Sequence, residues 1–155
     1  SNDYYSKKKP EWKQFGALQG FRGGTERNYG SDVGIHGTNI VVAKGKHSAE
    51  ELLQEVKNGI YVGRMWYTYP VNGYASPDYT GTIRGDSYII ENGEIVAALT
   101  PNTMRVLDSF DNFMKNITGI GKKQKAILAW GQEETIVAPE IALSEMNLKK
   151  IAKGV

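Results

Sequence analysis

The sequence of 155 residues contains no cysteine, which excludes disulfide bonds, thiolate metal ligands and a catalytic thiol. It has only two histidines, His36 and His47, and neither has a second ligand-type residue at a metal-binding spacing or the partners of a catalytic triad. No apolar run reaches the ~18 residues of a membrane span, and the N-terminal stretch SNDYYSKKKPEW lacks the apolar segment of a signal peptide. These absences predict a cytoplasmic chain with no metal or cofactor of its own and no membrane partner.

The chain also has little net charge, +2 at pH 7 with a pI near 8.7, which is too weak to predict a polyanionic partner. A globular chain of this length buries roughly 70% of its extended surface, so one hydrophobic core is feasible without disulfides. With 40% hydrophobic residues and 18 glycines, the composition predicts a folded domain that is rich in turns.

Residues 1–37 combine a lysine run with the glycine-dense stretch GALQGFRGGTERNYGSDVGIHG, and they show little apolar periodicity. This composition predicts an arm or loop segment. The opening Ser1-Asn2 pair suggests the remnant of an expression tag, so the chain is expected to be part of a longer protein. Residues 38–155 are predicted to form the folded domain.

The domain begins with NIVVA, which predicts a short buried strand, followed by a helix with a capping box from Ser48 to Glu51. The helix is expected to end at Asn58-Gly59. Further on, Asn92-Gly93 lies between two apolar runs, which is a strong signal for a β-hairpin. Together with the strands predicted on either side, this favours a meander.

The stretch IYVGRMWYTY is aromatic and β-branched, and it predicts a strand whose side chains cover two sheet faces. The aromatic residues here and just beyond are dense enough to form a stacking or peptide-contact surface; they are Trp66, Tyr67, Tyr69, Tyr74 and Tyr79. A β-sheet core would have the same composition, and core packing is the preferred interpretation.

The tripeptide Arg84-Gly85-Asp86 matches a cell-adhesion motif. Three residues recur by chance, and no secretory signal accompanies them. The preferred interpretation is an ordinary turn before a strand.

A second short helix is predicted after Ser109, ending at Gly119 within the stretch ITGIGKKQKAIL. Its Gly-Ile-Gly turn resembles that of a helix-hairpin-helix DNA-binding motif, but a breaker at Gly131 leaves little room for the second helix. The preferred interpretation is that Gly119 ends the helix in a left-handed conformation and Gly121 leads into a strand. The alternative is a nucleic-acid-binding module with phosphate contacts from Lys122, Lys123 and Lys125, and such binding would weaken steeply with salt.

Four blocks of the sequence occur in the order found in one known family: TNIVVAKGKHSAEELLQEVKNGIYV, DSYIIENGEIVAAL, LDSFDNFMKNITGIG and LAWGQEETIVAPEIALSEMNL. Over residues 38–151 the chain thereby resembles the C-terminal domain of the TldD/PmbA family, metallopeptidases formerly called modulators of DNA gyrase. The resemblance implies an α+β fold, predominantly antiparallel β with two or three short helices in a single domain. It also implies a homo- or heterodimer with a TldD/PmbA-like subunit, enclosing a cavity in which unfolded peptide is cut.

The chain departs from the family pattern at the metal centre. The family's HExxxH helix, in which two histidines bind zinc and the glutamate can act as general base, lies upstream of this domain and is absent from this sequence. Active members carry a cysteine ligand where this chain has Trp130-Gly131, and tryptophan does not ligate zinc. The resemblance therefore implies either the metal-free subunit, which is the preferred interpretation, or a branch that departs from the peptidase mechanism. The chain is not expected to be catalytic alone, and zinc is expected only in a metal-binding member. The predicted peptide or partner contacts are Arg64, Trp66, Tyr67 and Trp130.

Overall fold

A computed structural model describes residues 20–22, 33–35, 39–73, 75–128 and 135–151. These residues form mostly antiparallel strands with two short helices, which confirms the predicted α+β class. Within these ranges, no helix is both long enough and apolar enough to cross a membrane.

The elements follow one another along the chain with short connections. The strands are β1 (Gly20–Arg22), β2 (Val33–Ile35), β3 (Ile40–Val41), β4 (Gly59–Tyr61), β5 (Met65–Pro70), β6 (Asp78–Ile83), β7 (Tyr88–Glu91), β8 (Glu94–Ala98), β9 (Met104–Ser109), β10 (Ile117–Leu128), β11 (Thr135–Leu143) and β12 (Leu148–Lys150). The helices are α1 (Ala49–Val56) and α2 (Phe110–Lys115).

The chain divides into two compact units, and the first comprises residues 1–42 and 125–138. In it, β1 and β2 pair antiparallel, although both fall in the segment predicted to be an arm or loop. Strand pairing there overrides a glycine-rich local sequence with little β-propensity. The boundary proposed at residue 37 stays a prediction.

Strand β3 belongs to the sheet of order β10-β11-β3 and pairs in parallel with β11. The sequence predicts a buried strand here, but Ile40 and Val41 are both exposed. That prediction is wrong because β3 is an edge strand, where apolar composition alone does not ensure cover.

The second unit comprises residues 43–124 and 139–155. It contains a four-stranded antiparallel sheet of order β12-β9-β6-β5 and a three-stranded sheet of order β4-β7-β8. Its core is built on Tyr79, Ile83 and Val106, against which further apolar side chains pack; these are Val62, Leu99, Met104, Met146 and Leu148. The predicted meander is therefore wrong in part, since the consecutive strands β6 and β7 belong to different sheets.

Helix α1 begins with the predicted capping box. The Ser48 hydroxyl accepts a hydrogen bond from the Glu51 N–H at 3.1 Å, and the Ser48 N–H donates to the Glu51 carboxylate at 2.6 Å. Leu52 is the buried residue of the helix. The helix ends at Val56, with Lys57 as its C-cap at φ 60°, so the Asn58-Gly59 pair predicted as the stop follows directly after the cap.

The predicted hairpin is confirmed between β7 and β8. Asn92 has φ 52° and Gly93 has φ 81°, and a type I′ turn requires positive φ at both central residues. The amide of Asn92 is further held by the Asn58 side chain at 3.0 Å, which connects the hairpin to the end of helix α1.

The Gly-Ile-Gly stretch lies within strand β10, so there is no helix-hairpin-helix motif. Helix α2 ends at Lys115, and neither Gly119 nor Gly121 has positive φ, which makes the predicted helix end wrong. The glycines serve close packing instead. A Cβ on Gly119 would lie 2.7 Å from the Leu52 side chain, so the missing side chain lets β10 pass against helix α1.

Helix α2 begins at the predicted cap, where the Ser109 hydroxyl accepts from the Asn112 N–H at 3.1 Å. Its predicted apolar face is only partly covered. Phe110 packs its ring 5.0 Å from that of Tyr79, yet Phe110 and Met114 remain exposed.

Candidate functional site

Strand β5 presents the densest group of exposed aromatic side chains among the described residues. Trp66 is 37% exposed, Tyr67 68% and Tyr69 49%. The preferred core-packing interpretation is therefore wrong for these three, and correct for Tyr79 on the neighbouring strand, which is buried. Tyr74 lies outside the described residues. The alternative interpretation, a contact surface, agrees with the observed exposure.

The exposure follows from the position of β5 at the edge of the four-stranded sheet. Its ladder with β6 pairs Trp66 with Thr82 and Tyr69 with Thr80, so two β5 residues face the single residue Gly81 between them. This is a β-bulge, a feature that re-aims side chains at sheet edges. A Cβ on Gly81 would lie 2.9 Å from the Thr68 hydroxyl, so glycine gives the bulge room.

Tyr67 is the first residue of the bulge and has φ 50°. A residue with a Cβ pays a conformational cost in this left-handed region, and bulky residues are rarely found there. The strained backbone holds an exposed tyrosine away from the regular pleat. Strain of this kind clusters at binding sites, where the surrounding structure enforces it.

Among the described strands, none pairs with the outer edge of β5. The Arg84 N–H donates to the Arg64 carbonyl at 2.9 Å, which fixes the alternation of the antiparallel ladder. The next residue, Met65, therefore directs its N–H and C=O away from β6. The edge ends at Pro70, whose missing N–H would interrupt any further pairing.

Arg84 lies over this surface. Its guanidinium carbon is 5.4 Å from the Trp66 ring centroid, and its Nη1 donates to the Asn102 side-chain oxygen at 2.7 Å. The Tyr67 ring also contacts Trp66, edge-on at a centroid distance of 5.9 Å. The predicted contacts Trp66 and Tyr67 are thus brought together, and Arg84 is added to them.

The third predicted contact, Arg64, forms an ion pair of 3.5 Å with Asp86, and both side chains are largely exposed at 64% and 71%. Asp86 has φ 57° in the turn between β6 and β7. The Arg-Gly-Asp tripeptide is thus an ordinary turn before a strand, as predicted, but its two charged ends both reach the β5 surface. The contact of Arg84 with the Trp66 ring is not visible in the sequence, because it depends on strand pairing.

The predicted phosphate contacts have a different setting. Lys122 and Lys123 line a shallow pocket of ≈ 170 Å³ at the start of helix α1, together with Glu50 and Glu140. The pKa of Glu50 is lowered by a backbone hydrogen bond and by Ser48, with smaller contributions from the two lysines. Because carboxylates balance these lysines, nothing here favours phosphate binding over an ordinary charged surface. Lys125 is exposed further along β10, and Trp130 lies outside the described residues.

The metal centre of the family that this chain resembles has no counterpart among the described residues. Across the described ranges, no three His, Cys, Asp or Glu side chains lie close enough to hold a metal ion. His47 has its Nδ1 3.2 Å from the Ile120 carbonyl, in a packing role beside β10. His36 lies outside the described residues.

Comparison with known proteins agrees with the resemblance in the sequence. The sequence pattern of a family described as PmbA/TldA metallopeptidase C-terminal domain matches residues 10–150. No curated protein gives a match.

Two solved structures share the fold. TldE from Thermococcus kodakarensis superposes with a TM-score of 0.62 at 16% identity over 77% of this chain. A candidate modulator of a DNA gyrase from Thermotoga maritima MSB8 gives a TM-score of 0.54 at 19% identity over 78%. In both cases the chain spans 25% of the length of the solved structure.

Proposed function

The chain belongs to the PmbA/TldA metallopeptidase C-terminal domain family, and on this basis we propose that it helps to assemble a metal-dependent peptidase complex in the cytoplasm. In this proposal it pairs with a TldD/PmbA-like subunit and forms part of the cavity that holds extended, unfolded peptide. It is the metal-free subunit and does not catalyse the reaction alone.

The observation that carries the proposal is the exposed aromatic edge of strand β5. Edge strands are templates for the addition of another strand, in which main-chain hydrogen bonds provide affinity and alternate side chains provide selection. Natural proteins usually blunt such edges with charge or proline. Here the bulge at Tyr67 and the proline Pro70 interrupt part of the edge. Among the described strands, none pairs with the part at Met65, beside which Trp66 and Tyr67 stand exposed. Exposed aromatics of this type are favoured at interfaces.

The metal-free assignment is supported by the sequence. A tryptophan, Trp130, stands at the family's cysteine position, and tryptophan does not ligate zinc. A subunit of this kind contributes shape and peptide contacts, while zinc and the general base come from the partner.

Binding measurements on alanine variants test the contact surface. Trp66→Ala and Tyr67→Ala are each expected to weaken binding of a TldD-like subunit, or of a labelled unfolded peptide, by about tenfold or more, as for an aromatic interface anchor. Ile95→Ala is the matched control, because Ile95 is a 48% exposed apolar residue on the edge strand β8. Equal effects of all three substitutions would contradict a specific role for β5.

Zinc content and peptidase activity, measured on the full-length protein alone and mixed with a TldD-like subunit of the same cell, test the assembly. Activity only in the mixture supports the metal-free role. Stoichiometric zinc with activity in the protein alone would show that another residue replaces the cysteine, and would overturn that role.

A further inference from the structure

Arg84 is held in place by neutral partners. Asn102 fixes one guanidinium nitrogen at 2.7 Å, and the Trp66 ring lies below the guanidinium carbon at 5.4 Å. Within the described part of the chain, no carboxylate contacts it. A guanidinium that is positioned but not neutralised is suited to receive an anionic group, since Arg presents a planar fork of donors that matches a carboxylate.

The charges around Arg84 also favour an anionic ligand. Arg64 and Arg84 contribute two positive charges to the β5 surface, and Asp86 contributes one negative charge. The Arg64–Asp86 pair is 3.5 Å long and largely exposed. Exposed pairs of this kind contribute little and can be exchanged for another carboxylate. The surface therefore carries an excess of one positive charge and has one weak internal competitor for its cations.

From this arrangement we infer that the β5 surface selects extended segments that carry a carboxylate, with Arg84 as the receptor and Asp86 as the competitor. The inference rests on the proposed function, because it names the class of peptide that the β5 edge accepts. In a strand added to β5, a side chain opposite Trp66 lies about 5 Å away between Cβ atoms. An acidic side chain there, or at the next residue on the same face, is within reach of Arg84 or Arg64.

Peptide fits the surface better than nucleic acid does. Single-stranded nucleic acid binds by stacking its bases on open aromatic faces and by many phosphate contacts. Here the Arg84 guanidinium already covers one face of the Trp66 ring. The edge of β5, by contrast, offers the main-chain N–H and C=O of Met65, which are the groups that an added extended strand pairs with.

The test uses the full 155-residue chain and three short labelled peptides, in which valine alternates with glutamate, glutamine or lysine. The glutamate peptide is expected to bind most tightly. Arg84→Gln is expected to weaken it about tenfold, the loss of one charge-assisted hydrogen bond, while the glutamine peptide changes little. Asp86→Asn is expected to tighten the glutamate peptide a few-fold, because it removes a competing charge and asparagine tolerates positive φ. Lys150→Gln, at an exposed lysine of β12 on the opposite edge of the sheet, is the control and is expected to have no effect.

The outcomes distinguish a failure of carboxylate selection from a failure of the proposed peptide binding. Equal affinity for the three peptides overturns the selection but leaves peptide binding at β5 intact. Absence of binding by any peptide overturns the proposed function, and the selection with it. Tighter binding of a single-stranded oligonucleotide, with a steep salt dependence, would assign the surface to phosphate instead. Each variant must unfold at the same denaturant concentration as the parent, so that a binding change reports contact and not folding.

Discussion

Strands β5 and β6 are hydrogen-bonded neighbours in one sheet, yet the strand with more apolar side chains is the more exposed of the two. Strand β5 reads Met-Trp-Tyr-Thr-Tyr-Pro and is exposed along almost its whole length. Strand β6 reads Asp-Tyr-Thr-Gly-Thr-Ile, with two threonines and a glycine, and is buried from its second residue onward. The more apolar strand is the one left outside.

The difference teaches that position within the sheet, more than side-chain polarity, determines burial here. Strand β6 is flanked by β5 and β9 and directs Tyr79 and Ile83 into the core. Burial of its threonine Thr80 leaves no hydroxyl without a hydrogen bond, because the hydroxyl donates to the Val106 carbonyl at 2.8 Å. Strand β5 has a neighbour on one side only. Its exposed aromatic side chains lower solubility, and the positive φ of Tyr67 adds conformational strain. Both features are expected where a surface serves binding.

The largest expected change in the free energy of unfolding is seen when a tyrosine of β6 is compared with a tyrosine of β5. Tyr79→Ala removes a buried ring from the core and is expected to lower the free energy of unfolding by about 3–5 kcal/mol. Tyr69→Ala removes a half-exposed ring and is expected to cost about 1 kcal/mol or less. Urea denaturation of both variants measures the difference. Similar losses would mean that Tyr69 is covered in the folded protein and that the contrast between the strands is false.

A smaller effect is expected at Asp108, the buried carboxylate opposite Tyr79 on β9. Burial on its own would raise the pKa of Asp108, but hydrogen bonds lower it overall. They come from the backbone N–H groups of Asn147 and Ser109 and from the amides of Asn112 and Asn147. Asp108→Asn replaces one accepting oxygen with a donor and is expected to cost about 1–3 kcal/mol.

The same carboxylate gives a pH dependence. Because its folded pKa lies below the unfolded value of about 3.9, its contribution is fully present above that value and is lost as pH falls through the folded pKa. Denaturation curves from pH 7 to pH 2 are therefore expected to show a loss of stability in the acid range that Asp108→Asn reduces. Glu94→Gln, at an exposed position on β8, is the control and should leave the profile unchanged. An unaltered acid profile in Asp108→Asn would contradict the network.

The smallest expected change in the free energy of unfolding is a gain in stability. Tyr67→Gly relieves the positive φ of the bulge and is expected to raise the free energy of unfolding by about 0.5–1 kcal/mol, while weakening binding at the β5 surface. Thr68→Gly, beside it in the bulge at ordinary φ, is expected to lower stability by a similar amount. A stability loss in Tyr67→Gly would show that the tyrosine is retained for the fold and not for contact.

Local signals predicted the elements that depend on local geometry. The capping box at Ser48 and the Asn92-Gly93 turn are formed by residues within a few positions of one another, and both are present as predicted. The strand partners could not be predicted in this way. Nothing in the sequence states that β6 lies between β5 and β9, or that Gly119 is required beneath Leu52, because these contacts join distant segments.

The candidate site shows the same limit. The residue types Arg64, Trp66 and Tyr67 could be selected as contacts from the sequence, and the structure places them on one surface. Their exposure could not be predicted, because an aromatic strand looks the same in a core and at an edge. Arg84 could not be predicted at all, because its position over Trp66 depends on the pairing of β5 with β6.

The contact between the segment just before helix α1 and strand β10 also determines when the domain can fold. Residues 45–47 and 120–122 exchange three backbone hydrogen bonds of 2.8–3.2 Å, and His47 and Ile120 are 73 residues apart. At a synthesis rate of about 5–20 residues per second, the nascent chain waits roughly 4–15 s before β10 emerges. An isolated helix as short as α1 is marginal in water during that time. Folding of the second unit is therefore expected to be slow and to finish only after its last strands have left the ribosome.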